Sequence, residues 1–371
     1  VSVRWDGRTP AAAAPDLGVA DVPHLLARLI ERYGGAGSER GIHAYALDNE
    51  PGIWFQTHPR LMPRRITIRA FIERSVAAAR VIKSLDPRAR VFGPGSWGAT
   101  EMVSFQDAPD WPEYRRQGSF LAAYLAAFRA ASEDAGLRLL DVLDVHWYPF
   151  SRHGNLFRTE NAALDAALLD APRGLTEAGY REDSWVADAL RVAAPDRPGL
   201  PILPSLRRLI DRRFPGTDLA ITEFNYGGAG RLAAGLALAD VLGRYGAANV
   251  AYATHWGSLD GWLKEAYRLF RMPDASGRRF GGRHLPVQGQ TPELDVHAAA
   301  DEGAVQLIAI NKRTEPVAMD VAFGAGRAAR LLGVLGFDAL HPTTAPVTDA
   351  SAGEGGRLIL PGRSARRYTF A

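Results

Sequence analysis

The sequence predicts a parallel α/β fold of the TIM-like barrel type over residues 1–272, followed by a C-terminal β-sandwich over residues 273–371. Three observations predict it. Strand-like and helix-like segments alternate five times before about Pro273, which calls for a parallel sheet. After that point, short alternating segments broken by Gly and Asp turns take over, the pattern of an all-β sandwich. The third is the stretch Tyr45-Ala46-Leu47-Asp48-Asn49-Glu50-Pro51-Gly52, an apolar run that delivers an amide and an acid and then stops. Strand ends of this kind are where a parallel barrel keeps its chemistry.

Taken in order, Val1–Gly7 reads as a strand end and Pro10–Pro15 as a loop. Leu25, Leu26, Leu29 and Ile30 share one face of a helix over 22–33, which Gly34-Gly35 ends. The strand carrying Glu50 follows, then a helix over 66–85 that Asp86-Pro87 stops. A strand at 90–93 runs into Gly93-Pro94-Gly95-Ser96-Trp97-Gly98, which matches the G-x-G-x-x-G pattern of dinucleotide sites. Pro94 has no N–H to offer a phosphate, Trp97 is bulky, and Glu101 to Pro112 reads as a loop rather than a helix. A plain strand-end turn is the better reading, and a nicotinamide-dependent oxidoreductase falls with the motif. Ser119 caps a helix to about Glu133, and a strand over 140–147 ends in His146-Trp147-Tyr148. A long polar segment, a helix over 205–214, a strand over 219–223, a helix over 232–245 and a strand over 250–256 complete the alternation. The sandwich strands fall at 294–299, 305–311, 317–322, 328–336, 358–360 and 368–370, with a turn at Asp301-Glu302-Gly303.

Composition removes several function classes. The chain has no cysteine, so disulfides, thiolate metal sites and cysteine nucleophiles are excluded. A net charge of +3, with Arg scattered among Asp and Glu, is a mixed solvated surface rather than a nucleic-acid face. Arg207, Arg208, Arg212 and Arg213, the densest basic cluster, lie on the outer side of one helix. No apolar run is long enough to span a membrane. Zinc-type His spacings and the Gly-x-Ser-x-Gly elbow are absent too.

In a barrel the strand ends converge on one face, bringing Asn49 and Glu50 toward Glu223 and Asn225, with His146, Tyr148, His255 and Trp256 around them. Two carboxylates, aromatic platforms and amides are what glycoside hydrolysis needs. A lone Glu at a strand end is ordinarily an ion-pair or capping residue; two, each beside an Asn, point to catalysis. His146 and His255 fit either a site or a hydrogen-bonded core. Trp54, Trp97 and Trp262 fit either sugar platforms or plain packing.

The residues Leu47-Asp48-Asn49-Glu50-Pro51, Trp54, Thr57-His58 and Ile221-Thr222-Glu223-Phe224-Asn225-Tyr226-Gly227-Gly228 resemble glycoside hydrolase family 44. So do Asp183-Ser184-Trp185, Phe214-Pro215-Gly216-Thr217, Ala239-Asp240-Val241-Leu242-Gly243, Phe280-Gly281 and Ile310-Asn311-Lys312, in collinear order. Phe224 stands where that family usually has Tyr, and Ser205 where Arg is usual. The resemblance implies a retaining, secreted, monomeric endo-β-1,4-glucanase acting on cellulose-type glucan or xyloglucan. It implies Glu50 as acid/base, Glu223 as nucleophile and Asn49 on the sugar 2-hydroxyl. His146 and Tyr148 would border the nucleophile and the sugar and Trp256 would floor the innermost subsite, with Trp54, Trp97 and Asn225 as further substrate contacts. It implies no catalytic metal and no required cofactor, with structural calcium allowed. It also implies that only about barrel strands 4–8 are present and the N-terminal units are missing. The chain alone is then expected to be poorly stable or aggregation-prone, and inactive or weakly active; a noncatalytic glycan-binding remnant is the alternative.

Overall fold

The computed structural model describes residues 21–158, 161–192, 194–301, 303–324, 330–347 and 357–371. The segments read as a strand end at 1–7 and a loop at 10–15 lie outside them, as do Glu302 and the first two residues of the strand at 328–336. The described residues fall into two compact units that interleave along the chain. The first takes in the residues up to Tyr148, with Val186–Phe224 and Val250–His255; the second takes in Pro149–Trp185, Asn225–Asn249 and Trp256–Ala371. The change of sequence character near Pro273 marks where the antiparallel strands begin. The compact grouping does not follow a single 272/273 boundary.

The first unit is built on β1 (Ala44–Ala46), β2 (Arg90–Ser96), β3 (Val142–Trp147), β4 (Asp218–Phe224) and β5 (Tyr252–His255), all parallel and in that order. This is a half-barrel sheet, consistent with a TIM-like barrel. Residues 91–96 of β2 and all of β3 are buried, whereas β5 is exposed over Tyr252–Thr254 and β1 is half-buried at most. The buried strand expected ahead of Glu50 is therefore an edge of only three residues. The helix Ile68–Leu85 starts where Thr67 accepts the Ala70 N–H (3.1 Å) and buries Ile68, Phe71, Ile72, Ala79 and Ile82 along one stripe. The helix Phe120–Ala135 is capped by Ser119 and closed by Gly136 in the left-handed region; its Phe120, Tyr124 and Phe128 rings, four residues apart, pack tilted against one another.

The sheet is irregular where its strands end. β2 and β3 slip register between Pro94 and Ser96, leaving Gly95 (φ +68°) bulged. β3 and β4 slip between Val145 and His146, so His146 pairs with Glu223 and Thr222 is left over. Bulges re-aim side chains beside active sites. Here one brings a histidine and a glutamate onto neighbouring positions.

In the second unit β6 (Arg283–Leu285), β7 (Leu294–Asp301), β8 (Ala304–Asn311), β10 (Leu331–Asp338), β11 (Ala345–Pro346) and β13 (Ser364–Phe370) form an antiparallel sheet in the order β11-β10-β13-β8-β7-β6. β9 (Val317–Asp320) and β12 (Arg357–Leu360) pair separately. Period-two alternation gives the larger sheet two different faces. Val296, Ala298, Leu307 and Ala309 pack with Leu358, Leu360, Tyr368 and Phe370 in one apolar cluster. Asp295 and His297, pointing the other way, meet Asp240 and Arg244 of the helix Leu232–Ala247. Asp240 is fully buried between Arg244 (2.9 Å), Lys312 (2.9 Å) and His297 (3.0 Å). Burial pushes its pKa up, but Lys312 and Arg244 outweigh that and hold it well below the usual carboxylate range.

Candidate active site

Four of the residues singled out from the sequence converge in the first unit. His146, 3% exposed, places Nδ1 2.9 Å from Glu50 Oε1 and 3.5 Å from Glu223 Oε2. The Tyr148 hydroxyl, just past the end of β3, donates to Glu223 Oε1 at 2.5 Å. Burial, with Glu223 and Glu50 adding to it, pushes the Tyr148 pKa up, so the phenol stays a protonated donor. The nearest donor atoms of Glu50, His146 and Glu223 all lie within 4.8 Å of one another, a set that would also suit a divalent metal ion. Both carboxylates keep some access to solvent, 23% for Glu50 and 15% for Glu223.

The turn after β1 aims Glu50. Its backbone is left-handed (φ +53°, ψ +49°), which costs a non-glycine residue about 1–2 kcal/mol. Strain of this kind persists only where the surroundings enforce it. The Glu50 N–H donates to the Gly95 carbonyl (2.8 Å) and the Ile53 N–H to the Glu50 carbonyl (3.2 Å). Trp54 belongs to the same clamp: its indole N–H donates to the Asn49 carbonyl (2.8 Å), and its ring lies 4.6 Å from that of His58. Asn49 itself is exposed.

Trp97, at the end of β2, is half-buried and donates to Gln106 (3.1 Å). Asn225 and Trp256 fall in the second unit, where the Asn225 amide donates to the Trp256 carbonyl (2.7 Å) and Trp256 is 63% exposed. His255 sits edge-on to Phe224, 5.6 Å away, and burial lowers its pKa. Trp262 packs 6.1 Å from Phe337 in the second unit.

The expected loop over 101–112 is corrected. A helix, Ala99–Ser104, opens directly from Gly98, so the Gly-rich stretch does lead into a helical turn. The place a phosphate would take is filled by Glu101, whose Oε2 accepts the Trp97 N–H (3.4 Å). An anionic ligand would meet an acid there, so the dinucleotide reading still fails, for a different reason.

Three further acids, the half-buried Asp48 and the buried Asp144 and Glu101, lie near the pair and were not singled out from the sequence. Burial pushes Asp48 up to about 6, against the Asn49 N–H (2.7 Å) and His58. Burial also raises Asp144, while the Thr222 hydroxyl donates to it and His146 pulls it down. Glu101 is fully buried and held well above the usual carboxylate range, chiefly by burial, with Glu50 and Asp48 adding to it. Asp144 was within reach of sequence reasoning, being two residues from His146 on one strand. Glu101 carried no such signal.

The family model of glycoside hydrolase family 44 matches residues 10–151. Beta-mannanase/endoglucanase A of Caldicellulosiruptor saccharolyticus is 37% identical over 333 residues, covering 84% of this chain and 25% of that protein. Endoglucanase A of Paenibacillus lautus is 35% identical over 332 residues, covering 84% of this chain and 46% of that protein. The chain thus spans between a quarter and a half of these curated relatives. The structure of a Paenibacillus polymyxa xyloglucanase of family 44 with xyloglucan superposes with a TM-score of 0.84 at 32% identity, covering 94% of this chain and 70% of that one. By fold, sequence and coverage together, the chain belongs to glycoside hydrolase family 44.

Proposed function

We propose that this chain carries the catalytic pair of a retaining glycoside hydrolase that cleaves internal β-1,4 linkages of β-glucans, xyloglucan included. The observation that carries the reading is the closeness of the two carboxylates, with ligand oxygens of Glu50 and Glu223 no more than 4.8 Å apart. Retaining enzymes hold their carboxyl groups about 5–5.5 Å apart, whereas inverting ones leave about 6.5–9.5 Å for a water. In this reading Glu223 attacks the anomeric carbon while Glu50 protonates the departing glycosidic oxygen. Glu50 then takes a proton from the water that releases the sugar from Glu223. The Tyr148 hydroxyl fixes the attacking carboxylate, and His146 bridges the two acids. The names of the relatives, a beta-mannanase/endoglucanase, an endoglucanase and a xyloglucanase, support a β-1,4-linked polysaccharide substrate.

We read the parallel sheet as strands four to eight of a TIM-like barrel and the antiparallel sheets as a β-sandwich beside it. Asn49, Trp54, Trp97, His146, Tyr148, Asn225 and Trp256 are the proposed sugar contacts, in a secreted monomer that needs no cofactor for the chemistry, with calcium as a structural option. The test is the stereochemistry of the first-formed product, followed by proton NMR during hydrolysis of a soluble cello-oligosaccharide. The β-anomer should appear first and mutarotate afterwards; initial release of the α-anomer would overturn the mechanism.

A further inference from the structure

Behind the turn that carries Glu50 lies a carboxyl group that the double-displacement chemistry leaves unused. Glu101 is 0% exposed. Its Oε2 accepts the Trp97 N–H (3.4 Å), and the carboxyl also takes the Gly52 N–H. Its Oε1 meets no hydrogen-bond partner among the described residues. The fit against Gly52 is close enough to exclude a side chain there: a Cβ on Gly52 would lie 2.8 Å from Glu101 Cδ and 2.8 Å from Oε2. Gly52 sits in the one-turn helix Pro51–Ile53 that begins directly after Glu50. The left-handed backbone at Glu50 is thus held from two sides, by the Gly95 carbonyl at its own N–H and by Glu101 two residues on.

A buried, half-satisfied acid is a costly way to fill space, and an apolar side chain would be more stable. Its cost suggests a task beyond packing. We propose that Glu101 is a positioning residue: by joining Gly52 to Trp97 it fixes the strained turn at Glu50 and so aims the Glu50 carboxyl as proton donor and base. The inference rests on the reading of Glu50 as the acid/base. A displacement of the donor by even a fraction of its hydrogen-bond length is enough to slow a reaction that depends on aligned proton transfer.

The test compares Glu101→Ala, Glu101→Gln and Gly52→Ala in the full chain, with Glu50→Ala as the reference. Each variant is first checked by circular dichroism and thermal melting. On β-glucan, Glu101→Ala should lose about tenfold to a hundredfold in kcat with KM little changed. Gln has the same outline and one oxygen for both N–H groups, so Glu101→Gln should recover most of that loss. Gly52→Ala, which pushes on the carboxyl from the other side, should show the same defect as Glu101→Ala and stands in for it if that variant does not fold. On dinitrophenyl β-cellobioside the leaving group needs no acid, and breakdown of the glycosyl-enzyme becomes limiting. Sodium azide should then accelerate Glu101→Ala: azide attacks the anomeric carbon, the bond to Glu223 breaks, and β-cellobiosyl azide forms without a base. A merely structural defect would not respond to azide. The inference is overturned by unchanged kcat in Glu101→Ala, by Glu101→Gln as slow as Glu101→Ala, or by a folded, slow Glu101→Ala that azide does not rescue while Glu50→Ala is rescued. No rescue of Glu50→Ala itself would instead remove the acid/base role of Glu50, a separate failure.

Discussion

Replacing Tyr148 by Phe removes one atom from the centre of the site and leaves the ring that packs there. In the native chain that hydroxyl donates to Glu223 at 2.5 Å, and Glu223 is only 15% exposed, so solvent screens the bond little. A hydrogen bond to an ionised group contributes about 1.5–3 kcal/mol. At about 1.4 kcal/mol per factor of ten, Tyr148→Phe should lower kcat/KM on soluble β-glucan by roughly tenfold to 150-fold. The loss should fall mainly on kcat, because the hydroxyl donates to Glu223, the proposed nucleophile. Reducing-sugar release over a range of glucan concentrations measures it, with a melting curve to show that the fold is intact. A loss smaller than about threefold, or one confined to KM, would refute the role assigned to Tyr148.

Three further outcomes follow from buried charge and backbone geometry. Asp48 carries a folded-state pKa of about 6, above its ordinary 3.8, so the folded state binds more protons and this group costs stability as pH rises through that window. The penalty at neutral pH is at most about 3 kcal/mol, so Asp48→Asn should raise the melting temperature at pH 8 but not at pH 4; the same shift at both would contradict it. Asp240→Asn leaves Lys312 and Arg244 without their buried partner and should cost about 3–5 kcal/mol in urea unfolding. Because the Asp240 pKa is depressed, its contribution is present above pH 3.8 and lost as pH falls further, and a change under about 1 kcal/mol would contradict the network. Gly95→Ala forces a side chain into φ +68° with its Cβ 2.7 Å from the Asp48 carbonyl. It should destabilise by about 1–3 kcal/mol and lower kcat through the Glu50 turn; a fully active, equally stable variant would contradict the clamp.

The proposed pair, Glu50 and Glu223, was legible because strand and turn signals are local. Pro51-Gly52 stops one apolar run and Asn225-Tyr226-Gly227-Gly228 follows the other, and each run delivers a glutamate within two residues of an asparagine. His146 and Tyr148 were legible for the same reason. What the sequence hid is non-local. The slip between Val145 and His146, which sets His146 against Glu223, depends on pairing between strands far apart in the chain. Glu101 looked like a loop residue because its helix is six residues long, has no side-chain cap, and shows no period. Its burial arises from the β1 turn folding over it. The helix Leu232–Ala247 reads as an ordinary crossover, yet 11 of its 16 residues are buried, too many for a helix with one covered face. That excess of apolar and small residues was the available sign that it is packed on more than one side. In the second unit its neighbours include the helix Gly261–Arg271 and the strands β7 and β8.

Covalent trapping tests the central claim most directly. The chain is incubated with a deoxyfluoro cellobioside bearing a dinitrophenyl leaving group, and intact mass and peptide mapping follow. The account predicts one fluorocellobiosyl group per chain, on the peptide containing Glu223, and none in Glu223→Gln. Turnover of β-glucan with no adduct, or an adduct on any other carboxylate, would contradict it.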